Sequence, residues 1–439
     1  MLNFIIDKNL SSIQGKYFSI RGDYIYAILL LFFMVLNSTL CNRVKIMPLN
    51  GDTNDTPLLI NLKHVEMQFV PLLIQFFTMQ SQAGINLWKK DTPYTLENGT
   101  VITLKNDVFR RERKEGHSGM RYELISNGPP LGDGTFGEVC KIKGTMSFDE
   151  HSIKIKKQRK DGKRRVVKIQ EHDSSNPLSA LDNEYRLTKK TPHLAVKKPT
   201  LVTNSSGTQI SFTAMNHLPG KELFYIIEER ADLSSLQRAE LSLALINALE
   251  EQVCKQGIVH RDIKPENIMV DLGPPIQVHF IDFGLSKDAI HRNDVISGTP
   301  VYLAPEVRSY LSRIDYKADI FSLARVIALL WNVDFGTYDD PGTYYKATPI
   351  RMLCSLFSDI KSLDMDAKRL IKDTLLGMLN FNPEARYSIS KARTGFEAAK
   401  NIIKANYKSP LNANSLFRTQ NSAEHNESQE VFIKINSCP

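Results

Sequence analysis

Apolar and polar residues alternate along Ile210-Ser211-Phe212-Thr213-Ala214-Met215, and a β-branched run, Val166-Val167-Lys168-Ile169, encloses one lysine. Both patterns predict strands, since successive side chains of an extended chain point to opposite faces. Lys160-Asp161-Gly162 reads as a hairpin turn ahead of Val166, which leaves Lys154, Lys156 and Lys157 on the preceding strand. Ser179 to Leu187 is spaced for a helix. Upstream, the apolar segment Pro57 to Met79 is interrupted by Lys63, His64, Glu66 and Pro71, and predicts a packed helix rather than a membrane span. Tyr94 to Tyr122, with Asn98-Gly99 as a hairpin turn, predicts further strands. The polar tail Asn412 to Pro439 is expected to be disordered.

Tyr24 to Leu36 is a strongly apolar run preceded by Lys8, Lys16 and Arg21. It falls short of the ~20 residues a span needs and reaches that length only through Asn37, Ser38 and Thr39. Three readings stay open: a membrane anchor or signal-like segment, a stretch upstream of a translation start at Met47, and a buried helix.

Ile258-Val259-His260-Arg261-Asp262-Ile263-Lys264-Pro265-Glu266-Asn267, followed by Asp282-Phe283-Gly284, puts a base, a cation and two metal-binding side chains in one short span. A hydroxyl attacking the terminal phosphate of ATP needs its proton accepted, its geometry fixed and the phosphate charge offset by magnesium and fixed cations. Asp262 suits the first role. Lys264, two residues on along an extended loop, can reach the transferring phosphate, and Asn267 and Asp282 offer the oxygen ligands that hard Mg²⁺ prefers. The segment resembles the catalytic and metal-binding loops of eukaryotic-type protein kinases, in the form usual in the Ser/Thr branch.

Other parts of that family's signature occur in the expected order. Leu131-Gly132-Asp133-Gly134-Thr135-Phe136-Gly137-Glu138-Val139 has the glycine spacing that lets a strand-turn-strand backbone close over phosphates. The resemblance assigns Leu131, Gly132, Gly134, Gly137 and Val139 to the nucleotide. It makes Lys168, in preference to Lys154, Lys156 or Lys157, the lysine that pairs with the phosphates, and Glu184 the carboxylate that holds it, Glu171 being too close in the same strand. It also implies an insertion around Gly144 to His151, read as a solvated loop. Asn216-His217-Leu218-Pro219-Gly220-Lys221-Glu222-Leu223 looks like the hinge. There Met215 would gate the adenine pocket or simply pack in the core, the backbone of Asn216 to Leu218 would bond adenine, and Glu222 would meet the ribose or a basic substrate residue.

Gly298-Thr299-Pro300-Val301-Tyr302-Leu303-Ala304-Pro305-Glu306 resembles the end of an activation segment. By that resemblance the Thr299 hydroxyl touches Asp262 and Lys264, Glu306 pairs with Arg386, and Asp319 braces the catalytic-loop backbone. Ala324 stands where Gly is common, a change a helix tolerates. Val295 occupies the place of a frequently phosphorylated Thr, four residues before Thr299, with Asp294 beside it. One expectation is that Arg261 pairs with Asp294 and orders the segment without phosphorylation; autophosphorylation at Ser297 or Ser286 is the rival.

Composition agrees without adding identity. The 439-residue chain, 42% apolar, suffices for a two-lobed kinase of roughly 280 residues with appendages. The net charge of +8 comes partly from the run Lys154 to Arg165, read as the solvated face of a hairpin, with a patch for acidic lipid or nucleic acid as the lesser reading. No aromatic residue interleaves it, which argues against a platform for single-stranded nucleic acid, and no nucleic-acid partner is expected. Cys41, Cys140, Cys254, Cys354 and Cys438 are scattered singly, without zinc spacing or a disulfide framework, as in a reducing, cytosol-like compartment. The cluster Glu424, Glu427, Glu430 resembles C-terminal export signals of effectors that intracellular bacteria deliver into host cells; an ordinary solvated tail is the alternative.

The expected fold is α+β, the two-lobe protein kinase fold. Its parts would be an apolar segment at 1–46, an extension of helix and hairpin strands at 47–122, a small lobe at 123–215, a large lobe at 216–405 and a tail at 406–439. The expected activity moves the ATP γ-phosphate to Ser or Thr of protein substrates with Mg²⁺, or Mn²⁺ in its place; membrane contact would run through residues 24–41. A pseudokinase scaffold would need a defect this set lacks. A small-molecule phosphotransferase would lack Thr299, Ala304-Pro305-Glu306 and Arg386. Of the acids that select Arg near the acceptor only Glu222 has a counterpart, Val301 and Leu329 standing where others would serve, so weak or no Arg preference is expected.

Overall fold

The strands that the alternation predicts lie side by side in an antiparallel sheet. This computed structural model describes residues 58–61, 69–111, 121–134, 137–148, 153–157, 164–174, 176–289, 291–292, 296–308, 313–333, 353, 355–360, 362–407 and 432–436. Tyr24 to Thr39, the turn at Lys160 to Gly162, Asp294, Val295, Cys41, Cys354, Cys438 and the Glu424 cluster fall outside them. Nearly all described residues belong to one compact unit, 54–202 with 208–439; of the other, Met1–Thr53 with Thr203–Gly207, only 203–207 is described.

β1 (Leu58–Asn61) and α1 (Phe69–Gln82) precede β2 (Leu87–Trp88), β3 (Pro93–Thr95), β4 (Val101–Leu104), β5 (Val108–Arg111) and β6 (Arg121–Ile125). The glycine-rich stretch becomes the hairpin β7 (Gly132–Gly134) and β8 (Gly137–Phe148), followed by β9 (Ile153–Lys157), β10 (Arg165–His172), α2 (Leu178–Thr188), β11 (Thr200–Thr203) and β12 (Gln209–Asn216). The sheet runs β11-β12-β10-β8-β6-β5-β2, with β7 and β9 both paired to β8. Phe109, Ile125, Ile142, Val167 and Phe212 bury one cluster, in which Phe109 stacks on Phe212 at 5.2 Å. α1 sets Leu73, Phe76 and Phe77 against Trp88, Tyr122, Leu124 and Met146.

Four expectations change. The small-lobe sheet does not begin at 123: β5 and β2 extend it, because Phe109 shares the core of Phe212. The insertion after Gly144 is no simple loop, since β8 continues to Phe148 and pairs with β9 from Gly144↔Lys157 to Phe148↔Ile153, burying Met146. Lys154, Lys156 and Lys157 are exposed as expected, but Arg165 is not part of that solvated face; its guanidinium grips buried Glu123. Within the tail, β20 (Phe432–Asn436) pairs with β1 and β4, the period-two Ile433-Lys434-Ile435-Asn436 pattern suiting a strand.

Beyond β12 the chain forms β13 (Lys221–Glu222), α3 (Leu223–Glu228), α4 (Ser235–Gln252), β14 (Ile258–Val259), β15 (Ile268–Asp271), β16 (Gln277–Phe280), β17 (Lys287–Asp288), β18 (His291–Arg292), β19 (Arg313–Ile314), α5 (Tyr316–Leu330), α6 (Met365–Met378) and α7 (Ile389–Tyr407). α4 starts on a capping box between Ser234 and Gln237. α5 is buried on almost every side, as a central helix of a helical lobe must be. No described helix is long and apolar enough to cross a membrane.

Candidate active site

β10 places Lys168 between Val139 of β8 and Thr213 of β12 in register. From there its Nζ lies 2.8 Å from Glu184 Oε1 on α2 and 3.0 Å from Asp282 Oδ1. Burial alone would pull the ammonium down in pKa, but Asp282 and Glu184 outweigh it and hold the group above the usual lysine value. For Asp282, burial pushes the carboxyl up and the Lys168 ammonium overrides it, keeping the group below the usual carboxylate range. Lys154, Lys156 and Lys157 sit apart on β9.

The second cluster is built on the loop after β14. Asp262 Oδ1 accepts from Thr299 N at 2.9 Å and Thr299 Oγ1 at 2.8 Å, and Oδ2 accepts from Asn267 Nδ2 at 2.9 Å. Lys264 Nζ lies 3.6 Å from Oδ2. Thr299 makes no bond to Lys264 among the described residues; its hydroxyl serves Asp262 alone. The Ile281 N–H donates to the Asn267 carbonyl at 2.9 Å, so the two clusters adjoin. Arg261 and Asp282 both adopt left-handed backbone, φ 70° and 59°, conformations that persist where the surroundings over-determine them.

Those surroundings are explicit. Asp319 of α5 accepts the His260 N–H at 2.7 Å and the Arg261 N–H at 3.0 Å. Buried His260 packs on Phe283 at 4.9 Å. At Gly298, φ 115°, a Cβ would stand 2.4 Å from the Arg261 carbonyl, so only glycine lets Thr299 reach Asp262. Gly137 is equally constrained: φ is 139° and a Cβ would meet the Ile169 carbonyl at 2.0 Å, where β8 crosses β10. Leu131 donates its N–H to the Val139 carbonyl, and Gly132 and Gly134 pair with Val139 and Gly137.

At the hinge, Asn216 N–H is spent on the Leu194 carbonyl and His217 N–H on the Arg164 carbonyl. Among the described residues the Leu218 N–H has no such acceptor, which narrows the expected Asn216-to-Leu218 donors to Leu218. Half-buried Met215 packs against the large-lobe core. Glu222, on β13, is half-buried; burial and then Glu266 push its carboxyl up.

For a cation, Asp282 Oδ1 and Asn267 Nδ2 are engaged, leaving Asp282 Oδ2 and Asn267 Oδ1 without a hydrogen-bond partner among the described residues. Two hard oxygens on adjoining segments suit Mg²⁺ or Mn²⁺. As a whole, the arrangement can accept a proton from a hydroxyl and hold a polyphosphate beside it. Sequence reasoning missed Asp288, which takes Arg186 and Lys190 of the α2 region and carries no local sequence signal.

The model of the protein kinase domain matches residues 125–395. Serine/threonine-protein kinase GL21140 of Drosophila persimilis is 26% identical over 263 residues, 59% of this chain and 32% of its own length. Serine/threonine-protein kinase CG17528 of Drosophila melanogaster is 26% identical over 268 residues, 60% and 33% of the two chains. The cAMP-dependent protein kinase catalytic subunit PRKX of Mus musculus is 30% identical over 231 residues, 52% and 60%. The chain therefore spans about a third of the length of these fly relatives. With the domain match covering more than half of its residues, the chain belongs to the protein kinase family.

Proposed function

We propose that this chain transfers the ATP γ-phosphate to Ser or Thr hydroxyls of protein substrates. The observation that carries the reading is the setting of Asp262, whose two oxygens are held by Thr299 and Asn267 with Lys264 alongside. A carboxylate fixed in this way is oriented to take the proton of an incoming hydroxyl, and Lys264 offsets charge on the transferring phosphate. Lys168, held by Glu184, positions the ATP phosphates. Leu131, Gly132, Gly134, Gly137 and Val139 cover the nucleotide, Met215 backs the adenine, Leu218 N–H bonds it, and Glu222 meets the ribose or a basic substrate residue. Asn267 and Asp282 would hold Mg²⁺, which when bound would offset phosphate charge.

Val301 and Leu329 offer no acid to a basic substrate, which supports weak Arg preference beyond what Glu222 provides.

The test incubates the full chain with γ-labelled ATP, Mg²⁺ and a generic protein substrate, beside Asp262→Ala. Phosphoserine or phosphothreonine lost in the variant is the expected result; label confined to a small metabolite would contradict it.

A further inference from the structure

α2 carries Glu184 yet has few apolar anchors: of its 11 residues, Leu181, Leu187 and Thr188 are buried. Polar ties hold it instead. Asn183 Nδ2 donates to the Ser286 carbonyl at 3.0 Å. The Arg186 guanidinium makes two bonds to Asp288, Nη1 at 3.0 Å and Nη2 at 2.6 Å, and Lys190 Nζ, just past the helix, adds a third at 3.0 Å. Asp288 lies on β17, opposite Ile258 of β14, the strand that runs into His260-Arg261-Asp262. The carboxylate thus joins the Glu184 helix to the base of the catalytic loop.

We infer that Asp288 is a positioning residue for phosphoryl transfer, a permanent carboxylate that keeps α2, and with it the Glu184–Lys168 pair, in place without phosphate on the activation segment. This rests on the proposed reaction. An isolated exposed ion pair contributes little; here a bidentate guanidinium and an ammonium converge on one carboxylate fixed to a paired strand. The Arg186 and Lys190 hydrogen bonds hold the Asp288 carboxyl far below the usual carboxylate range, so it stays ionised. It is distinct from the Asp294 pairing expected from sequence.

The test uses the full chain after phosphatase treatment, with ATP varied. Wild type is expected to remain active, while Asp288→Asn lowers kcat/KM for ATP about tenfold, chiefly through KM, with unchanged Tm. Asp288→Glu should restore most of it, and in an Arg186→Met, Lys190→Met background Asp288→Asn should lower it by much less than in the wild-type background. An unaltered kcat/KM in Asp288→Asn, or wild-type activity abolished by the phosphatase, would overturn the inference. Should the wild type transfer no phosphate at all, the proposed reaction fails. Calorimetry of ATP binding then still decides on Asp288: about tenfold weaker binding in Asp288→Asn sustains the positioning role, and equal binding ends it.

Discussion

Arg386 sets its guanidinium against both oxygens of Glu306, Nη1 at 2.6 Å and Nη2 at 2.9 Å, although the two lie 80 residues apart. Arg386 Nη1 also donates to the Lys317 carbonyl and Nε to the Asn380 carbonyl, so all three nitrogens of the buried charge are engaged. Arg386→Met leaves Glu306 unpaired, and should cost ~3–5 kcal/mol of large-lobe stability. Urea unfolding measures this; an unchanged midpoint would contradict the role.

A second network ties the N-terminal extension to the strand of Lys168. Glu123, fully buried, accepts Arg111 Nε at 2.6 Å, Arg165 Nη1 at 2.7 Å and Thr145 Oγ1 at 2.8 Å, joining β5, β6, β8 and β10. Glu123→Gln strips the charge from beneath two guanidiniums and should destabilise the protein by ~3 kcal/mol or more. A thermal midpoint equal to wild type would show that the extension is not anchored through this residue.

Ser286 is buried and its hydroxyl donates to the His260 carbonyl at 3.1 Å, whereas Ser297 Oγ lies 2.6 Å from Arg261 Nη2. Any autophosphate should therefore be found on Ser297, beside a cation, and not on Ser286. Phosphopeptide mapping decides; stoichiometric phosphate on Ser286 would sink this reading.

Burial, with a contribution from His279 stacked at 5.0 Å, pulls the His193 imidazole down to about 4, against its hydrogen bond to the Phe280 carbonyl. The unfolded chain takes up this proton near the ordinary value of 6.5, so the unfolded state binds more protons between the two values. Stability from this group is complete above 6.5 and falls by up to ~3 kcal/mol as pH drops toward 4. His193→Asn should flatten that part of the denaturation profile; a profile of identical slope would exclude the group.

The residues proposed for catalysis and metal binding were legible because Asp262, Lys264 and Asn267 share one short loop and Asp282 follows just past the β15–β16 hairpin. Lys168 could be told from Lys154, Lys156 and Lys157 because the turn residues and the β-branched run separate two strands. What stayed hidden depends on partners far along the chain. Arg165 closes a charged run and looks solvated until Glu123, 42 residues away, lies beneath it. β20 pairs with strands more than three hundred residues earlier, which local periodicity cannot encode. Asp288 has no pattern of its own; it matters because folding delivers Arg186 and Lys190 to it.

The most direct test of the central claim compares ATP binding with phosphoryl transfer in Asp262→Ala. Because Lys168, Glu184 and Asp282 are untouched, nucleotide affinity should stay within about threefold of wild type while transfer to protein falls by ~10²-fold or more. Transfer that survives at the wild-type rate would contradict the assignment of Asp262 as the base, and with it the reading of this site.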